Sequence, residues 1–308
     1  MGIKKKSQIT SEKVVLTSFI VDLLDVVAGL TVTILSGSVV MVSQTLEGVA
    51  DLLATGLLLL GVKRSKRPST RKHPFGHGRE LYFWTFLAAL LTFIITAGAS
   101  FYLGLKRFLH PEPVTNIGLA CLVLLVTIFT NGYATSLSLK RLLRKKSISN
   151  LWSAFNRSAF IETKTTLVLD VMGTTASILG LVSLLLYVKT GDLRFDGLGA
   201  MAIGVTLAIL VLFIIKGAKD LLVGQAALPE TEERIIKTTE LFPTVEKVLD
   251  LRTLHIGTGR LLVNMEVHLI NKLTTDEIEL LIDNIKNEIK KDVPQATDIQ
   301  IELETPDI

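Results

Sequence analysis

The chain has 308 residues, 49% of them apolar and 20% charged, with a mean hydropathy of +0.49, a balance that excludes both a disordered chain and an ordinary soluble domain. The single cysteine, Cys121, lies inside an apolar run, which excludes a disulfide-stapled scaffold. The net charge of +4 divides unevenly, since residues 1–221 carry 24 Lys and Arg against 12 Asp and Glu while residues 222–308 carry 9 against 17, so two physically different bodies are expected.

A bilayer core needs roughly 20 apolar residues per helix. Six stretches before residue 221 meet that length: 14–35, 39–62, 81–105, 117–139, 165–188 and 196–215. The first has a basic start but no small-residue cleavage site, so it reads as a retained helix rather than a signal peptide. Lys and Arg collect on alternate connections. The N-terminal arm has Lys4, Lys5, Lys6 and Lys13, the loop after the second span has Lys63, Arg64, Lys66, Arg67, Arg71, Lys72 and Arg79, and the loop after the fourth has Lys140, Arg141, Arg144, Lys145, Lys146 and Arg157. The intervening connections hold only Lys106 and Arg107, then Lys189 and Arg194. This asymmetry predicts both termini on the cytoplasmic side of a membrane, with a prokaryotic-type plasma (inner) membrane as the default. Basic arms flanking spans act as topology signals and lipid-headgroup contacts, and nucleic acid is not an expected partner.

From about residue 222 the pattern turns soluble. Pro229 followed by TEERIIKTTELF predicts a helix with acids in its first turn and Ile235, Ile236 and Leu241 on one face. VEKVLDLRTLHIG and RLLVNMEVHLI flank Gly257 and Gly259 as a hairpin, LTTDEIELLIDNIKNEIKKDV is an amphipathic helix capped by Thr274 or Thr275, and DIQIELE closes as a strand. The expected fold is an all-α six-helix transmembrane domain over residues 1–221, joined to a small C-terminal α+β domain over 222–308 with αββαβ order.

Five carboxylates fall within the predicted spans: Asp22, Asp25, Glu47, Asp51 and Asp170. Each costs at least ~2.5–3.5 kcal/mol at the bilayer centre on insertion scales, so each must face a cavity, a partner or an ion. Glu47 and Asp51 are four apart and share a helix face. A bound cation relieves their repulsion; the alternative is a protonated carboxyl hydrogen-bonded to a neighbouring helix. Thr166 and Asp170 repeat the spacing, so two helices could enclose one cation with four oxygen ligands. In the loop KRSKRPSTRKHPFGHGRELYFW, His73 and His77 stand four apart and could share a metal, or the segment is a surface turn set by Pro74, Gly76 and Gly78. Asp196, at the start of the sixth span, is expected at the interface.

SQTLEGVADLLATGLLLLG, HPFGHGRE and LDVMGTTASILGL together resemble the cation diffusion facilitator (cation efflux) family, and YFWTFLAALLTF is similar to its zinc-transporter-nine-like subgroup. The resemblance covers nearly the whole chain and implies a ferredoxin-like cytoplasmic tail that dimerises. It implies a four-residue transport site on Glu47, Asp51, Thr166 and Asp170, with Glu47 standing where zinc exporters usually place His or Asp and Thr166 where His is usual. The family's loop site falls on Thr70, His73 and His77, with its acid missing. Its cytoplasmic metal site falls on His268, Asp283, Glu302 and Glu304, with Glu302 where His is usual; the favoured reading of His268 itself is a hydrogen-bonded strand residue. His255 and His110 have no supporting partners in the sequence.

What the resemblance implies is a homodimeric secondary transporter, not an enzyme, that exports a divalent metal from the cytoplasm in exchange for protons by alternating access and needs no cofactor beyond its cargo. Three carboxylates in one low-dielectric pocket would bind either metal or protons, the minimum condition for such exchange. Asp22 and Asp25 could line the approach to it. Oxygen-only ligands suit Mn²⁺, Fe²⁺ or Mg²⁺ at least as well as Zn²⁺. A cation channel and a non-transporting regulatory homologue are the competing classes. A channel would place the acids in a ring on a symmetry axis, and a regulatory homologue would keep the tail but move nothing.

Overall fold

The structure, a computed structural model, describes residues 11–143 and 161–305, the side chains of residues 11–22, 24, 141, 162 and 163 excepted. Lys4, Lys5, Lys6, Arg144, Lys145, Lys146 and Arg157 lie outside the described residues, as do the side chains of Lys13, Asp22 and Arg141. The chain divides into two compact units. One holds most of the apolar helices; among the described residues the other holds 60–84, 161 and 217–305.

The first unit is built on α1 (Ser11–Ser36), α2 (Val39–Ser65), a third span made of α3 (Glu80–Thr92), a π-helical turn (Phe93–Gly98) and α4 (Ala99–Leu109), then α5 (Ile117–Leu143), α6 (Ile161–Thr190) and α7 (Arg194–Val223). Some of these helices run on into the second unit. Among the described residues five helices are long and apolar enough to cross a membrane, against the six expected; the described apolar part of the first, Asp25–Ser36, is shorter. Large apolar side chains such as Ile34, Ile94, Phe129 and Val205 are exposed along the helices, as lipid-facing residues are.

Asp196, in the first turn of α7, is wholly buried within the protein. Gly37, at a positive φ of 63°, turns the chain between α1 and α2. The α2 amides that follow have no partner within their own helix. The Asp196 carboxylate, reaching across from α7, takes them: it accepts from the Val39 N–H at 2.9 Å, the Val40 N–H at 3.1 Å and the Ser38 hydroxyl at 2.5 Å. Its charge is matched by Arg107 of α4, whose Nε lies 3.4 Å away and whose guanidinium also donates to the Gly37 carbonyl and pairs with Glu112 at 2.6 Å. Arg107 and Asp196 can meet because α4 and α7 cross on small residues. A Cβ on Gly104 would fall 2.7 Å from the Met201 nitrogen, and one on Gly197 would fall 2.6 Å from the Phe108 nitrogen.

In the second unit, α8 (Pro229–Glu240), β1 (Val245–Gly257), β2 (Arg260–Leu269), α9 (Thr275–Asp292) and β3 (Ala296–Leu303) follow in the expected αββαβ order. β1 and β2 pair antiparallel, β2 and β3 parallel, and β2 is central. The core gathers Ile235, Leu261, Val263, Met265, Val267, Ile285 and Ile289. Leu241, expected on the apolar face of α8, is instead 79% exposed, because the helix ends at Glu240 and Phe242 packs on the core in its place. Thr274 rather than Thr275 caps α9, in a reciprocal box with Glu277.

Asp196→Ala should destabilise the protein by about 3–5 kcal/mol, since it breaks a buried ion pair with Arg107 and leaves the Val39 and Val40 amides without their side-chain acceptor. Thermal unfolding in detergent measures it. A second expectation concerns α8 and α9, joined by Arg234 and Asp292 (Nη2 to Oδ1 2.6 Å, Nε to Oδ2 3.2 Å). The hydrogen-bonded guanidinium holds the Asp292 carboxyl below its ordinary value of 3.8. The pair's contribution is therefore complete above that value and lost as pH falls through the lower folded one. Hydrogen exchange at the end of α9 should thus accelerate in acid for the wild type, and Asp292→Asn should remove that pair's share of the pH dependence.

Candidate metal site

α2 carries Glu47 and Asp51 one helical turn apart, as the spacing requires. Glu47 is 2% exposed. Both line a cavity of ≈ 40 Å³ whose walls include Asp25 of α1, Gln44 and Thr45 of α2 and Asn131 of α5. That volume admits water, for which about 10–15 Å³ suffices per molecule. The cavity therefore joins three carboxylates to neutral oxygen donors inside an apolar helix bundle. The side-chain hydroxyl of Thr45 meets that of Thr33 at 3.0 Å, bringing α1 against α2 at the same level.

α6 packs on the same part of α2. The Ser177 hydroxyl donates to Gln44 Oε1 at 3.1 Å, and Gln44 Nε2 donates to Glu47 Oε2 at 3.1 Å, so the carboxylate is oriented from α6 through an amide. Gly173 makes the approach possible. A Cβ there would lie 3.0 Å from Glu47 Oε1 and 2.5 Å from Asn131 Nδ2. Asp170, one turn before Gly173, is not among the residues lining the cavity; its carboxylate accepts from the Ser138 hydroxyl of α5, and Thr135 donates to its backbone carbonyl at 2.8 Å. Thr166 lies one turn before Asp170 on α6 and does not line the cavity either. Among the described residues no three His, Cys, Asp or Glu stand close enough together to hold a metal ion. The arrangement thus brings α2 and α6 side by side, with Glu47 and Asp51 on a shared cavity and Asp170 in a hydroxyl cradle alongside.

In the second unit, the rings of His73 and His77 stand 4.6 Å apart, centroid to centroid. Thr70 and His73 close a tight turn by reciprocal backbone hydrogen bonds at 3.0 Å, with the Thr70 hydroxyl accepting from the His73 N–H at 3.2 Å. His77 Nδ1 lies 3.1 Å from the Pro68 carbonyl. In the sheet, His268 places Nδ1 3.0 Å from the Glu304 carbonyl and Nε2 3.2 Å from a Glu246 carboxylate oxygen, so both ring nitrogens have protein partners. Asp283, Glu302 and Glu304 are exposed, while His255 is buried on β1 and His110 ends α4.

Sequence reasoning did not reach Gln44, Asn131, Ser138 or Gly173. Gln44 alone left a usable signal, standing three residues before Glu47 and so on the same helix face.

Residues 15–223 match the cation efflux transmembrane domain and residues 227–306 the cation efflux protein cytoplasmic domain. The chain belongs to the cation efflux family, and it is an integral membrane protein. It is 28% identical over 298 residues to the mitochondrial proton-coupled zinc antiporter SLC30A9 of Xenopus laevis, covering 94% of this chain and 52% of that protein. With the cation-efflux pump FieF of Yersinia enterocolitica it shares 26% over 264 residues, 85% of this chain and 82% of that one. The chain spans about half the length of the SLC30A9 relatives it matches. A nickel form of the MamM CTD aligns at a TM-score of 0.24 and 16% identity, over 26% of this chain and 100% of that one.

Gly173→Ala should insert a methyl group between the Asn131 amide and the Glu47 carboxylate. Overpacking of this kind costs about 1–3 kcal/mol, and metal affinity, read by isothermal titration of the detergent-solubilised protein, should fall with it.

Proposed function

We propose that this chain is a divalent metal cation/proton antiporter that exports metal from the cytoplasm by alternating access as a homodimer. Both termini and the Lys- and Arg-rich loops lie on the cytoplasmic side of a plasma (inner) membrane. One observation carries the reading: Asp25, Glu47 and Asp51 line a single cavity within the helix bundle. Charged groups at this depth are tolerated where they serve an ion pathway. Metal binds the carboxylates when they are deprotonated and protons bind them when the metal leaves, so the two compete for the same oxygens.

Glu47 and Asp51 form the first half of the transport site, and Thr166 and Asp170, on the helix packed beside them, form the second. For Asp170 to join, it exchanges its Ser138 hydrogen bond for the cation, a rearrangement that couples cation arrival to the packing of α5 against α6. Carboxylate, hydroxyl and carboxamide oxygens are hard ligands, so Mn²⁺, Fe²⁺ or Mg²⁺ is carried at least as well as Zn²⁺. The similarity to named proton-coupled zinc antiporters and to a cation-efflux pump supports exchange of metal for protons.

The test is reconstitution into vesicles with a pH-sensitive dye inside and Mn²⁺, Mg²⁺ or Zn²⁺ added outside. The wild type should move protons against metal, and Asp51→Ala should lose at least about 90% of that signal, in keeping with the 10–100-fold cost of disturbing a metal shell. Equal signals from the two proteins would remove the cavity from the mechanism.

A further inference from the structure

The cavity contains a side chain outside the four-residue set Glu47, Asp51, Thr166 and Asp170. Asn131, near the middle of α5, lines it together with Glu47 and Asp51. Gly173 of α6 leaves room for it: a single Cβ there would meet both Asn131 Nδ2, at 2.5 Å, and Glu47 Oε1, at 3.0 Å, so the amide nitrogen lies on the α6 side. The carboxamide and the carboxylate therefore lie over the same bare patch of α6. The other Glu47 oxygen is held by Gln44, itself anchored by Ser177, which leaves Oε1 on the side toward Asn131.

A carboxamide offers a carbonyl oxygen without a charge. Beside two carboxylates it adds a cation ligand that no proton competes for at neutral pH. Neutral carbonyl oxygens suit hard cations, which take six or more oxygens and keep part of their water, whereas zinc closes a smaller shell and prefers nitrogen or sulfur. The cavity also has room for water in such a shell.

We propose that Asn131 is a specificity-determining residue of the transport site: its carboxamide oxygen joins Glu47 and Asp51 around the cargo cation and favours Mn²⁺ or Mg²⁺ over Zn²⁺. The inference rests on the reading of this cavity as the cation site, and the experiment separates the two. Full-length wild type, Asn131→Leu, Asn131→His and Asp51→Ala are reconstituted, and KM and Vmax are measured with Mn²⁺ and with Zn²⁺ at one pH.

Asn131→Leu should raise the KM for Mn²⁺ by about tenfold or more, the usual cost of disturbing a metal's surroundings, with a smaller change for Zn²⁺. Asn131→His should move the Zn²⁺ to Mn²⁺ ratio of Vmax/KM toward zinc by a similar factor of about ten, because imidazole suits zinc. A merely structural residue would lower both metals together and leave the ratio alone. Unchanged ratios in both variants, with Asp51→Ala inactive, overturn the role of Asn131 while the cavity remains the cation site. Wild-type exchange by Asp51→Ala overturns both. Should Asn131→Leu fail to assemble, the ratio shown by Asn131→His decides alone.

Discussion

The arrangement of the first unit depends on a carboxylate that belongs to one helix and caps another. α2 begins directly after a glycine turn, and its leading amides are satisfied from α7, by Asp196. An anion at a helix N-terminus is favoured by the helix dipole and by direct hydrogen bonding, and burial makes both stronger. Burial also makes the charge expensive, and Arg107 offsets it from α4. Three helices are thereby tied at one point. Glu47 follows Val39 by eight residues of unbroken helix, on the order of 12 Å along the axis. The depth of the acidic cavity is thus fixed by the place where α2 is allowed to begin.

At the cavity itself charge and packing answer to each other. The buried Glu47 carboxylate accepts from the Gln44 amide, which the Ser177 hydroxyl of α6 holds in turn, and α6 can come near because position 173 has no side chain. Asp170 is cradled separately, by Ser138 from α5. Membrane helices have little apolar driving force for association, so small residues and interhelical polar contacts carry much of the specificity. The same contacts hold Glu47 at the cavity wall.

Much of this was legible in the sequence. Span positions follow from apolar length, and the αββαβ tail follows from Pro229, the Gly257 and Gly259 turn and the Thr274 cap, since these features are local. Leu241 misled because helix periodicity does not report where a helix stops. The capping role of Asp196 was hidden because its partner, Arg107, is 89 residues away in the chain. Glu47 and Asp51 could be placed on one helix face by spacing alone, but the Asn131 and Ser138 contributions depend on how α5 lies against its neighbours, which no periodicity encodes.

In the second unit, Gly78 and Gly257 touch backbone to backbone: a Cβ on Gly257 would fall 2.9 Å from the Gly78 Cα, and one on Gly78 would fall 2.8 Å from the Gly257 Cα. Arg260 donates to the Phe75 carbonyl at 3.2 Å beside this contact, and Arg79, the next residue after Gly78, donates to the Leu221 and Leu222 carbonyls. With no side chains to act as cushions, the strands' turn packs directly on the segment entering α3, and any residue larger than glycine at position 78 or 257 would force the two apart.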